Sequence, residues 1–320
     1  DLKGVSKWSD EFVFRTLCDP KSLPYSEKFD AEERILPSCW IVNPDNLTGV
    51  EISTSGFKYG DTGYSLLLKG SLTKTTYVVT DQFAHGANDL EVSFMVNGDY
   101  GLPFNVGLTT DPLSADAFEV IWEDTIDFSS GWHEVRFCTD VTYYGEQENL
   151  SLFISLPAGV DGSDRIYIDE FVVKERPACP RLEKLEVVDV LATEATIGWV
   201  EFGKAGNYEY EVSREGLVVK SADFTSSNSR VLISELEGNT QYSVRVRSKC
   251  AGTDGGEWSL PVEFMTACDV MESNIFAQSF EASSSTIPEC WQVKQFAVGM
   301  GDGENYGDAG IDIYTPTYSM

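Results

Sequence analysis

One stretch of this chain is written twice, and the repeat limits what the chain can fold into. The first copy runs from Cys18 to Trp40: Cys18-Asp19-Pro20, then Lys28-Phe29-Asp30, then Leu36-Pro37-Ser38-Cys39-Trp40. The second reads Cys268-Asp269, then Ser279-Phe280-Glu281, then Ile287-Pro288-Glu289-Cys290-Trp291. The lead-in recurs as well, Lys7-Trp8-Ser9 with Phe14 and Thr16 returning as Glu257-Trp258-Ser259 with Phe264 and Thr266. A third echo, Tyr59-Gly60-Asp61-Thr62-Gly63, comes back as Tyr306-Gly307-Asp308-Ala309-Gly310. Cys18 and Cys268 stand 250 residues apart. A repeat at a fixed period sets module boundaries before any local reading does. The chain is expected to hold one whole unit and the edges of two others, with residue 1 an internal cut and Met320 inside a unit.

The sequence between the repeats is strand after strand. Val50–Ile52, Tyr64–Lys69, Tyr77–Gln82, Leu90–Val96, Phe104–Thr110, Phe118–Glu123, His133–Cys138, Leu150–Ser155 and Ile166–Val173 are rich in β-formers. Turn residues separate them, as at Asn97-Gly98-Asp99, Asp111-Pro112 and Pro157-Ala158-Gly159. Short strands at this spacing, without an amphipathic helix, predict two antiparallel sheets in a sandwich. Near Pro177 a short stiff hinge follows. A second β module then carries strands at Ala195–Val200, Tyr208–Ser213, Arg230–Ile233 and Tyr242–Arg247. Its length of about 90 residues is that of an immunoglobulin-like sandwich. The expected division is 1–18, the last strand of a truncated domain; 19–177, the first sandwich; 178–267, the second; and 268–320, a truncated second copy of the first. An unfinished sandwich cannot cover its apolar faces, so Trp291 is expected to be more exposed than Trp40.

Charge narrows the partners. With 52 acidic and 23 basic residues the formal charge is −29. Such a chain has no basic face with which to neutralise phosphates, so nucleic acid is excluded as a partner. Anionic membrane is disfavoured for the same reason, and no apolar run approaches the roughly 20 residues that span a bilayer. The first residues do not read as a signal peptide. An acidic surface does suit divalent cations.

Seven cysteines stand at 18, 39, 138, 179, 250, 268 and 290. There is no Cys-x-x-Cys, and His85 and His133 are the only histidines. Disulfides in an oxidising compartment fit better than a metal centre. Cys18–Cys39 and Cys268–Cys290 are expected pairs, because both members recur at nearly constant separation.

Residues 179–267 resemble a fibronectin type III domain in Trp199, in the Leu236, Thr240 and Tyr242 corner, and in Trp258-Ser259 with Phe264 and Thr266. In that fold the chain entrance and the end of the sixth strand share a pole, which implies a Cys179–Cys250 bridge and leaves Cys138 odd. The alternative is Cys138–Cys179 with Cys250 free. No Arg-Gly-Asp is present, so integrin binding is not implied. Residues 19–177 resemble the jelly-roll modules of large bacterial surface proteins, of the MAM-like, cleaved-adhesin and choice-of-anchor kind. The residues that carry this are Phe29-Asp30, Leu36-Pro37 with Cys39-Trp40, Val106–Pro112 with Phe118-Glu119, Trp132 with Val135, and Tyr167-Ile168-Asp169-Glu170. Some relatives carry an Asp-rich stretch after the Cys-Trp; here Ile-Val-Asn-Pro-Asp-Asn follows, and that feature is absent. The fold class expected is therefore all-β: a jelly roll, then a type III sandwich, in a repeating array.

The jelly-roll resemblance implies a structural calcium ion between Asp30 and Asp169. Asp61, in a glycine-flanked turn that recurs at Asp308, is the third candidate ligand. Loop carboxylates at a sheet rim supply the oxygens a hard cation needs; the competing reading is ordinary turn and strand-edge residues. Trp40, Trp122 and Trp199 are expected in the core rather than as sugar platforms. Trp132 is a further stacking candidate, and Tyr143 and Tyr144 sit in a loop. His133 and Cys138 fall on opposite faces of one strand and make no nucleophile pair. Asn46-Leu-Thr48 and Asn149-Leu-Ser151 are formal glycosylation sequons. The leading expectation is a non-enzymatic binding or adhesive array, extracellular or at the cell surface, taking a glycan or an extracellular protein. Its rivals are the accessory region of a secreted hydrolase, a jelly roll that itself hydrolyses polysaccharide, and a pure spacer.

Overall fold

In the computed structural model the described residues are 18–53, 58–60, 63–86, 90–112, 117–127, 131–139, 147–203, 205–252 and 255–268. The chain falls into two compact units. The first is Asp1–Glu183 with Glu201–Ala205 and Ser248–Glu257; the second is Lys184–Val200, Gly206–Arg247 and Trp258–Met320. Apart from Cys18 and Cys268, the expected flanking pieces lie outside the described residues, as do Cys290, Trp291, Tyr143 and Tyr144.

The first unit is a two-sheet antiparallel sandwich. Its strands are β1 (Tyr25–Glu27), β2 (Ile41–Val42), β3 (Val50–Ile52), β4 (Leu66–Lys69), β5 (Thr76–Gly86), β6 (Leu90–Gly98), β7 (Pro103–Thr109), β8 (Phe118–Thr125), β9 (His133–Cys138), β10 (Glu148–Leu156) and β11 (Arg165–Glu175). One sheet runs β3-β4-β11-β6-β9, with β1 also paired to β11; the other runs β2-β5-β10-β7-β8. Strands β4 to β11 thus give 4-11-6-9 facing 5-10-7-8, the jelly-roll order.

Strand alternation explains why the sheets face each other. Leu66 and Leu68 on β4, and Leu150, Leu152, Ile154 and Leu156 on β10, point inward with Val78, Val106 and Ile168 into one core. A period of two puts every second side chain on the same face. Trp40 sits in that core, edge-on to Phe29 and to Phe171 at 5.6 Å each, and its Nε1 donates to Tyr25 Oη at 3.3 Å. Trp122 is also buried and stacks on Phe137 at 5.2 Å. On the outer face of the second sheet, Phe153 stacks on Phe118 at 4.4 Å. Gly107 makes room for this ring pair: a Cβ there would lie 2.1 Å from Glu119 O and 2.3 Å from the Phe153 ring.

The second unit is also all-β. It is built from β12 (Glu183–Val190), β13 (Ala195–Val200), β14 (Asn207–Arg214), β15 (Leu217–Thr225), β16 (Arg230–Ile233), β17 (Gln241–Ser248) and β18 (Val262–Met265). The sheets are β12-β13-β16 and β15-β14-β17-β18, the type III arrangement. Trp199 is buried against Tyr208 at 5.1 Å, and Tyr242 Oη accepts from Glu237 N at 3.0 Å, closing the expected corner. Trp258 lies under the guanidinium groups of Arg245 and Arg247, at 4.6 and 4.5 Å.

Cys18–Cys39 and Cys179–Cys250 are disulfides, with Cα atoms 6.1 and 5.7 Å apart. Cys138 is free and buried, so the alternative pairing Cys138–Cys179 is not formed. Among the described residues no helix is long and apolar enough to cross a membrane.

Candidate functional site

The site is built around a break at one edge of β11. β4 pairs with Arg165–Ile168 and β1 with Phe171–Val173. Asp169 and Glu170 fall between them, where this edge has no strand partner among the described residues. On the other edge the register to β6 slips between Asp169 and Val172, and Glu170 takes φ 48°. An extra residue in one strand bends it and re-aims its side chains. The bulge therefore presents Asp169 to the loop joining β3 to β4 and Glu170 to the segment that follows β1.

Asp169 is 3% exposed. Its Oδ2 accepts from Tyr59 N at 2.9 Å and its Oδ1 from Glu170 N at 2.7 Å. Burial pushes its carboxyl up to about 6; the two N–H donors pull it down, and the charges of Glu170 and Asp30 push it further up. Desolvation disfavours the ionised form, and nearby anions add to that.

Asp30 reaches the same region from the other side. Phe29 takes φ 57° and turns its ring into the core, while its N–H donates to Glu27 Oε1 at 2.7 Å. Asp30 is left exposed, with its carboxylate against the Cα of Gly63. A Cβ at Gly63 would lie 1.6 Å from Asp30 Oδ1, and Gly63 takes φ 95°. Only glycine meets both demands. The β3–β4 loop is thus held to Asp169 through Tyr59 and lies against Asp30 at Gly63. Asp61, between them in sequence, lies outside the described residues.

The charges of Glu170 and Asp30 act on the Asp169 carboxyl, and the neighbouring ammonium of Lys28 bonds Glu170 Oε1 at 2.9 Å. Each Asp169 oxygen accepts one backbone N–H, and a carboxylate oxygen has a further lone pair. The donor set is all oxygen, as a hard cation requires. The donor chemistry is of the kind calcium takes, but among the described residues Asp30, Asp169 and Glu170 do not bring three ligand atoms within 4.8 Å of one another.

An aromatic pair adjoins these carboxylates. The Tyr59 ring is 44% exposed and stands edge-to-face with the half-buried Trp132 at 6.2 Å. Sequence reasoning weighed Trp132 as a platform but had no way to bring Tyr59 to it. Arg34 lies 5.7 Å over the neighbouring Tyr64 ring.

The other expected sites are placed as follows. His133 is exposed at the start of β9, whereas Cys138 is buried at its end opposite Glu91. Burial pushes the Cys138 thiol up to about 12, with Glu91 adding to the effect, so it is a poor nucleophile. Asn46 Nδ2 donates to Thr76 Oγ1 at 2.8 Å, which ties down one sequon amide. In the second unit a groove of about 740 Å³ runs beside the β14–β15 turn. Two of its lining arginines are paired across the surface, Arg214 with Glu237 and Arg245 with Glu211.

No protein-family model matches the chain, and no curated protein sequence matches it. Among solved structures, the K2 cleaved adhesin domain of Lys-gingipain is 13% identical over 47% of this chain and 99% of that one, with a TM-score of 0.39. TmCBM61 in complex with β-1,4-galactotriose is 13% identical over 47% and 94%, with a TM-score of 0.35. The FN5 domain of Drosophila Lar is 14% identical over 29% and 100%, with a TM-score of 0.25. At these scores the likenesses carry no argument about ligand or activity.

Proposed function

We propose that the chain is a non-enzymatic extracellular binding protein whose jelly roll takes a glycan, or the equivalent face of a protein, at the Tyr59–Trp132 surface. The observation that carries this is Tyr59 itself. Its backbone N–H binds the buried Asp169, and its exposed ring meets Trp132. Aromatic faces beside a few fixed polar groups are what sugar rings and amphipathic side chains pack against. Calcium, when bound, would neutralise carboxylates and add coordinate bonds to them. Asp30, Asp61 and Asp169 would hold it, so cation binding would fix the loop that carries the aromatic ring. The disulfides support an oxidising, extracellular location. The formal charge of −29 argues against nucleic acid.

The rival readings are an accessory region of a secreted peptidase or glycoside hydrolase, a catalytic jelly roll, and a structural spacer. A glycan array paired with a hydrolysis assay separates them. Binding without turnover, weakened by Tyr59→Ala, supports the proposal. Release of product favours the hydrolase, and silence on glycan and protein arrays alike favours the spacer.

A further inference from the structure

Glu91 on β6 stands opposite Cys138 on β9, and Lys174 on β11 stands opposite Glu91 from the other side. Residues paired across strands share a face. Their neighbours Val92, Phe137 and Val173 fill the core, so Lys174, Glu91 and Cys138 lie in a row on the outer face of the sheet. The outer face of a two-sheet sandwich ordinarily meets water, yet Glu91 is 3% exposed and Cys138 4%. Beyond burial, which dominates, the Cys138 thiol feels Glu91 and Lys174 on its own sheet, and Arg176 and Glu183 on the segment that follows β11. That segment is tied down at two points. Arg181 donates from Nε to Glu183 Oε1 at 2.6 Å, and from Nη2 to Glu134 Oε2 on β9 at 2.9 Å. Two residues along β9, Arg136 donates from Nη2 to Glu134 Oε1 at 2.8 Å, and from Nη1 to Glu257 Oε2 at 2.6 Å. The Cys179–Cys250 disulfide joins the two anchored pieces covalently. All of these residues lie in the first unit.

We propose that residues 176–183, braced by this disulfide, form a strap that closes over the outer face of the sheet, guards Cys138, and opens as one piece. The sequence pattern marks a hinge near Pro177; the chain is instead fastened to β9 as far as Arg181 and Glu183. Arg181 and Glu183 are both buried. Taking one member from a buried ion pair leaves the rest desolvated and unpaired, so the strap has little to gain from partial release. Arg181 is the keystone, because its planar fork spans two carboxylates at once, which an ammonium does not reproduce. Opening the strap uncovers the charged row and the thiol together. While it is closed, burial keeps that thiol protonated and unreactive.

The test uses the full, oxidised chain and a thiol-labelling reagent, with Cys138 followed by mass mapping. Labelling is timed at several urea concentrations below the unfolding transition. The rate is expected to be nearly independent of urea, since opening a strap exposes far less surface than unfolding the sandwich. Arg181→Ala is expected to raise it by at least about tenfold. Arg214→Ala, which removes the exposed pair with Glu237 in the second unit, is expected to leave it unchanged. A wild-type rate that climbs with urea as steeply as global unfolding overturns the proposal. So does an Arg181→Ala chain that labels no faster than wild type. Should that variant fail to fold, Arg181→Lys keeps the charge without the fork and is expected to raise the rate by at least about threefold; an unchanged rate there overturns the proposal equally.

Discussion

The sharpest consequence of the site is a pH-dependent term carried by Asp169. Its folded-state carboxyl is raised to about 6 from an ordinary 3.8, chiefly by burial. A carboxyl raised on folding holds its proton more tightly in the folded chain. The stability this adds is fully present below about pH 4 and is lost as pH rises through about 6. Each pKa unit is worth about 1.4 kcal/mol, so a shift near two units sets an upper bound of about 3 kcal/mol. Local relaxation and water penetration soften the desolvation that dominates the shift and reduce this to about 1–2 kcal/mol. The perturbation is Asp169→Asn, which cannot ionise and keeps an acceptor for one of the two N–H donors. The assay is urea unfolding of both proteins in metal-free buffer from about pH 4 to pH 7. Reading the difference between them cancels the titration of the other acidic residues. That difference is expected to move in favour of the variant by about 1–2 kcal/mol across the range. Calcium at about a hundred times its Kd is expected to stabilise the wild type alone, by about 2.7 kcal/mol at pH 7. A difference that stays flat with pH, or moves toward the wild type in metal-free buffer, refutes the reasoning.

Other outcomes follow from the packing. Replacing Cys179 and Cys250 by alanine frees a bridge spanning 71 residues; loop-closure entropy puts the cost at about 4 kcal/mol, and a loss under about 1 kcal/mol in denaturant titration argues against it. Gly107→Ala drives a methyl into Glu119 O and the Phe153 ring and is expected to cost about 1–3 kcal/mol or more; an unchanged melting temperature would mean the outer aromatic stack yields freely. Trp40→Ala unpacks Phe29 and Phe171 together, with an expected loss of about 3–5 kcal/mol by urea titration.

Much of the sandwich was legible because its strands alternate against a core. Leu150, Leu152, Ile154 and Leu156 announce their inward face in the sequence itself, whereas the unbroken Leu66-Leu67-Leu68 run marks a strand without showing its face. β1 and β2 did not, because three residues and two residues carry no period. β12 and β15 were also missed: neither shows an uninterrupted buried face, and β15 has no buried residue at all. Asp30 and Asp169 were legible only through a family resemblance. What joins them is tertiary: a bulge at Glu170, a left-handed turn at Phe29 and the approach of Gly63 to Asp30. Tyr59 was marked by its repeat with Tyr306, but only the fold sets it against Trp132.

Calcium titration by calorimetry tests the central claim most directly. Metal-free wild-type chain would be titrated at pH 7 beside Asp169→Asn, Asp30→Asn and Asp61→Asn. The account predicts a saturable site in the wild type that is lost in Asp169→Asn, weakened in the other two, and weakened again in the wild type below about pH 6 as Asp169 takes up its proton. A wild-type chain that binds no calcium, or an Asp169→Asn chain that binds it as tightly as wild type, would contradict it.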